Sequence, residues 1–181
     1  MKYEMIKNDT KIVDKKTLYR IKALKDFNNV KKGDLGGYIE RESNLNQNDT
    51  AWIYDNACVY NDACVSDNAR VCDNARVSND ACISNNARVY DSAWIYGKAR
   101  VYNDAYVSYK ARVYGNAYVY GGAWVFGGAW VFGDAWVYGN ARVFDKARVY
   151  GNAYISDNTW ISGDARICGA MKITKQNLNF Q

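Results

Sequence analysis

From Ala51 onward, small and apolar residues return every six positions. The chain divides without a break into twenty hexads, from AWIYDN (51–56) to ARICGA (165–170). Ala fills position one in all but one of them, where Thr159 stands, and position three is always Val or Ile. Residues two apart point to the same side of an extended strand, so positions one and three share an inner side. Position two holds Arg eight times, so the opposite side faces water. Positions five and six are Gly, Asn, Asp, Lys or Ser in nearly every hexad, which is turn chemistry. Each hexad is therefore a short strand followed by a corner. A helix fits poorly, because six residues advance it by about 600° and smear the Ala/Val pair around its axis.

One such strand cannot bury its own apolar edge. Stacked copies can, each Val lying on the Val one coil away. Three hexads, or 18 residues, close a triangular prism whose narrow interior suits small Ala beside Val. The expected fold is all-β, a single-stranded parallel β-helix (a β-solenoid) of six to seven coils, roughly 32 Å long at ~4.8 Å per rung. A decayed twenty-first hexad, MKITKQ (171–176), extends the solenoid to 51–176 and leaves 177–181 as a tail. Residues 1–50 lack the hexad and read as a small β cap. There TLYRIKAL (17–24) alternates like a strand and pairs with KIV (11–13) across DKK, and Gly36-Gly37 permits a tight turn before Tyr38 and Ile39 enter the stack. Solenoids need polar ends to avoid polymerising through open edges, which lysine-rich termini provide, a basic docking site being the alternative reading of those lysines.

The unit V-Y-G-N-A-R resembles the hexapeptide repeat of left-handed parallel β-helices. KDFNNVKKGDLGGYIERESNLNQNDTAWIYDNA (25–57) resembles the segment that leads into YdcK-like β-solenoid proteins, in its Asp-Phe-Asn, Gly-Gly-aromatic-Ile-acid and Trp-Ile-Tyr-Asp elements. Left-handedness is implied by the resemblance alone, since the general rule for parallel crossovers favours the right hand. Such proteins occur in bacteria, phages and prophages, and some are called acetyltransferases by fold. The resemblance thus implies an accessory protein that binds or inhibits a host protein, acting in the host cytoplasm.

Composition removes most catalytic readings. The chain has no His and no Pro. Without His it lacks the commonest general base and the commonest metal ligand. Hexapeptide acyltransferases as a family use a histidine base and loops that interrupt the coils, and residues 51–170 contain neither. A degenerate acyltransferase is the weaker alternative, and no catalytic residue, cofactor or small-molecule substrate is expected. Five cysteines in no evident framework, with no signal-peptide core and no long apolar run, point to a reducing, cytoplasmic location away from membranes. Cys64 and Cys82, 18 apart at position two, should stack within disulfide reach, and in a reducing compartment they read as a ladder of free thiols. With no CxxC and no His, no metal site is expected. The eleven Asp of the repeat occupy turn positions, at a period that does not match the calcium-binding nonapeptide.

The net charge of +5 lies at the ends: residues 1–50 carry 11 Lys+Arg against 8 acids, whereas residues 51–170 carry 11 against 11. A neutral repeat is a weak footprint for nucleic acid, which favours a basic stripe on the binding body. The outer side carries aromatics instead, with Trp or Tyr nine times at position two and Tyr or Phe twelve times at position four. Steps of 18 sort position two into three columns. In one, Arg and Trp alternate from Arg76 through Trp94, Arg112 and Trp130 to Arg148, placed for Arg-over-Trp contacts. In another, Tyr118, Trp136 and Tyr154 follow one another with no Arg between, beside Tyr102, Tyr120 and Tyr138 at position four. These six form the candidate interaction panel. The expectation is a non-catalytic scaffold that binds a protein partner or itself as a homodimer. Nucleic-acid binding through the Arg and aromatic faces is the alternative, and a purely stabilising ladder remains open.

Overall fold

A computed structural model describes residues 1–174 and the backbone of 177–180. Lys175 and Gln176, which end the expected last hexad, and Gln181 lie outside the described residues. The hexads fold as the pattern predicts. Positions two and three make a short strand, such as Arg112–Val113 or Trp130–Val131. Each strand pairs in parallel with those 18 residues away, so Arg112 lies between Trp94 and Trp130, and Val113 between Ile95 and Val131. The strands collect into sheets of eight, ten and seven strands, which begin their hexads at Trp52, Cys58 and Cys64. They are called here the first, second and third faces.

Ala and Val fill the interior. Ala111, Val113, Ala117 and Val119 are all 0% exposed, and the same holds along nearly the whole stack. Thr159 keeps the inner position, where its hydroxyl donates to the carbonyl of Ile173 at 3.5 Å. The corners show which turn residue matters. Position five has a positive φ in all twenty hexads, from Asp55 at 52° to Gly169 at 74°. Gly, Asn and Asp adopt this left-handed conformation most readily, and they hold every such place but one, Tyr109. Position-five carboxylates also accept from the backbone one rung on: Asp67 from the Asn85 N–H at 2.9 Å, and Asp73 from the Asp91 N–H at 3.0 Å.

The cap begins as a hairpin. Strand β1 (Tyr3–Val13) pairs antiparallel with β2 (Lys16–Ala23), with Lys11 opposite Leu18 and Ile12 opposite Thr17. The expected pairing across Asp14-Lys15 is therefore present, and β1 extends well N-terminal of Lys11. Strand β3 (Leu35–Ile39) joins β2 antiparallel and Cys58–Val59 parallel, so the parallel stack starts before the first hexad. At the other end Asn177–Phe180 pair with Trp160–Gly163. With the end strands included, eight parallel rungs stack on the first face, counting Asn177–Phe180, and eight on the second, counting β3, more than the six to seven counted from hexads alone.

Two expectations change at this end. Gly36 and Gly37 do not form a turn, because both lie within β3. A Cβ on Gly36 would come within 2.6 Å of Ile21 Cγ1 and the Ile53 carbonyl, and one on Gly37 within 2.5 Å of Ile53 Cγ2. Glycine is required by close packing rather than by φ. Nor do all the outer residues of the first coil meet water. Trp52, Cys58 and Tyr60 are buried, because the hairpin folds over them. Tyr3 and Phe27 pack edge-on against Trp52, at 6.2 and 5.3 Å between ring centres. Lys2 is fully buried there, its ammonium donating to Asp49 Oδ1 at 3.0 Å and to the Ala51 carbonyl at 2.8 Å. Burial pulls the Lys2 pKa down, and the Asp49 carboxylate opposes that shift.

Candidate interaction face

The short strands fix where each outer side chain stands. Parallel in-register pairing puts like positions directly above one another, so position-two and position-four residues form columns along each face. On the third face the six panel residues come together as the sequence arithmetic places them. Tyr102 and Tyr120 stack at 4.9 Å with planes 2° apart, and Tyr120 and Tyr138 at 5.1 Å and 5°. Beside them Trp136 lies 4.7 Å from Tyr118 and 5.6 Å from Tyr154, tilted at 31° and 38°. The columns are joined where Tyr120 meets Trp136 edge-on at 6.1 Å.

The other two faces use their aromatics differently. On the second face guanidinium groups lie over indole rings: Arg112 is 5.5 Å from Trp94 and 5.0 Å from Trp130, and Arg148 is 4.7 Å from Trp130. On the first face Arg142 lies 5.1 Å from both Trp124 and Trp160. A longer stack than the panel's also exists. Tyr96, Tyr114, Phe132 and Tyr150 run down the second face at 4.7 to 4.9 Å spacing. The same steps of 18, applied to position four of that face, reveal it in the sequence. What distinguishes the third face is thus the uncharged stretch at position two, not its stacking.

Stacking also changes how the aromatics meet solvent. Only Tyr109, Trp124, Tyr154 and Trp160 of the repeat are exposed; the other panel rings are half-buried. In a parallel stack each ring face is covered by its neighbours, and the edges are left outward. The described ion pairs all involve residues 2–62, and none uses a repeat arginine. Five of the eight repeat arginines, Arg76, Arg88, Arg112, Arg142 and Arg148, instead lie over an aromatic ring, and Arg112 and Arg142 lie between two.

Two further features adjoin these faces. A cleft of about 300 Å³ opens between the hairpin turn and the second face, lined by Asp14, Lys16, Tyr60, Ser78, Trp94 and Tyr96 among others. On the third face Cys64 and Cys82 pair across neighbouring rungs, with Arg100 on the rung after Cys82. Their sulfurs are 2.7 Å apart and both thiols are free. The expected stacking of the two cysteines is present.

Three parallel walls, an Ala/Val interior and left-handed corners at a fixed period define a β-solenoid with about 18 residues per turn. Parts of the repeat are similar to a known family: the family model "YdcK Beta solenoid repeat" matches residues 69–82, 81–97, 111–127 and 147–163. No curated protein matches the chain. No helix among the described residues is long and apolar enough to cross a membrane.

Proposed function

We propose that this protein is a non-catalytic scaffold that acts by protein–protein contact, with the third-face panel as its contact surface. The observation that carries the reading is the panel itself. Six aromatics from four successive rungs lie on one sheet face, with no arginine from Tyr118 to Tyr154 to cover the indole of Trp136. Tyr and Trp dominate the energetic centres of protein interfaces, where ring edges and hydroxyls serve as well as ring faces. Self-association as a homodimer and capture of a different protein use the same surface. A partner of host origin rests on the resemblance of residues 25–57 alone. The acyltransferase alternative draws no support from the repeat, whose hexads run from 51 to 170 without an inserted loop.

The test is Trp136→Ser, read by light scattering and by partner pull-down. The variant is expected to keep the wild-type circular dichroism, because Trp136 lies outside the Ala/Val interior. It is expected to lose self-association or partner capture. If neither changes, the panel only stabilises the stack.

One observation favours a second reading, contact with nucleic acid: the repeat arginines are absent from the described ion pairs and keep their charge for an outside anion. Base stacking, however, needs free ring faces, and the ladders cover them with one another. A binding titration in rising salt separates the readings, because phosphate contacts give a steep salt slope.

A further inference from the structure

We propose that Cys64 and Cys82 form a peroxide-responsive dithiol, with Cys82 as the attacking thiolate and Cys64 as the resolving thiol. The inference does not depend on the proposed function. It starts from the ladder geometry. In-register parallel pairing sets the two Cα atoms one rung apart, about 4.8 Å, within the span that a disulfide bridges. The two sulfurs are in contact, with the Cys64 thiol donating to the Cys82 sulfur. Both residues sit at position two on the outer side of the wall, and both are half-buried.

The surroundings assign the two roles. Cys82, not Cys64, lines a pocket of about 270 Å³ with Ser84, Arg100, Tyr102 and Tyr118. A small oxidant therefore has a path to Cys82. Arg100 pairs with Cys82 on the next rung and places its positive charge beside that sulfur, while Cys64 is two rungs from it. The hydrogen bond from Cys64 lowers the Cys82 pKa; burial opposes that shift, and the Arg100 charge adds to it. The same bond raises the Cys64 pKa. The other cysteines lack such an arrangement. Cys58 is buried under the hairpin, and burial raises the Cys72 thiol to about 12.

The chemistry balances with hydrogen peroxide as oxidant. The Cys82 thiolate attacks one peroxide oxygen, the O–O bond breaks, and the departing hydroxide takes a proton to leave as water. Cys82 is now a sulfenic acid. The Cys64 sulfur attacks the Cys82 sulfur, the S–O bond breaks, and the hydroxyl leaves as a second water with the Cys64 proton. Two thiols and one peroxide give one disulfide and two waters. A dithiol reductant reverses the bond by exchange.

The test treats the purified full chain with one equivalent of hydrogen peroxide. Thiol titration should fall by two of the five free cysteines. Intact mass should drop by two hydrogens, fragmentation should place the cross-link at Cys64–Cys82, and dithiothreitol should restore the start. In Cys64→Ser, dimedone should trap a sulfenic acid at Cys82, and in Arg100→Gln the first step should slow at pH 7. Because the Cys82 pKa is lowered, the wild-type rate should persist to lower pH than the rate of an ordinary thiol. Position two accepts Arg, Trp, Tyr and Cys elsewhere in the repeat, so the serine variants should fold; circular dichroism checks this. The proposal is overturned if the thiols lost are others, if the cross-link joins separate chains, or if Cys82→Ser consumes peroxide as fast as the wild type.

Discussion

At the scale of single residues, Tyr109 is the one place where the repeat breaks its rule for the corners. Its φ is 57°, in a column of corners otherwise held by Asp and Gly, and its ring is 60% exposed. Nothing in its side chain offsets the left-handed backbone, although its N–H donates to Asp91 at 3.0 Å as the corner ladder requires. Asn keeps that N–H and tolerates the conformation. Tyr109→Asn should therefore raise stability by about 1 kcal/mol, read as a rise of about 2–4 °C in the thermal midpoint. If the midpoint falls, the ring packs against something that its exposure conceals. The position was visible in the sequence as the only large residue at position five. Its strain was not, because turn chemistry alone does not say which of positions five and six carries the positive φ.

At the scale of elements, the hairpin does more than end the stack. It buries Trp52, Cys58 and Tyr60, whose positions point to water in later coils. Leu18 and Val13 pack against Tyr38, Cys58 and Tyr60, and Tyr3 and Phe27 against Trp52. Removing residues 1–24 should expose these rings and free the edge of β3 that β2 occupies. The shortened chain is expected to bind a hydrophobic dye and to sediment as aggregates, as open edges do. A soluble monomer with unchanged dye binding would mean that the first coil closes without the hairpin. The repeat strands were legible because Ala and Val recur at a fixed period and local pattern decides them. The cap was legible only in part. TLYRIKAL alternates, but the reach of β1 to Tyr3 and the burial of Gly36 and Gly37 depend on what the hairpin packs against, and no local period encodes that. The panel was legible because stacking turns sequence spacing into spatial adjacency. The covering of ring faces was not, since it depends on side-chain tilt.

At the scale of the whole molecule, two periods are superimposed. The interior repeats every six residues and the exterior columns every 18, so interior and exterior respond differently to a change in length. Deleting one hexad, Ala129–Asp134, leaves the Ala/Val interior continuous but moves every later outer residue by one face. Arg142 would then take the rung beneath Tyr118 and Phe144 that beneath Tyr120, while Trp136 would pass to the second face beneath Arg112. The panel is dispersed although the fold is kept. Duplicating a whole coil, Ala123–Asn140, adds the same kind of material and leaves every column on its own face. Both variants should give the wild-type circular dichroism, since nearest-neighbour stacking is intact in each. Only the hexad deletion should abolish self-association or partner capture, measured by light scattering and pull-down beside the wild type. If it binds as the wild type does, the contact surface is something the shift does not disturb, such as the cap, and the third-face panel is a stabilising ladder. If both variants lose binding with their fold intact, the partner reads the length of the solenoid rather than one of its faces.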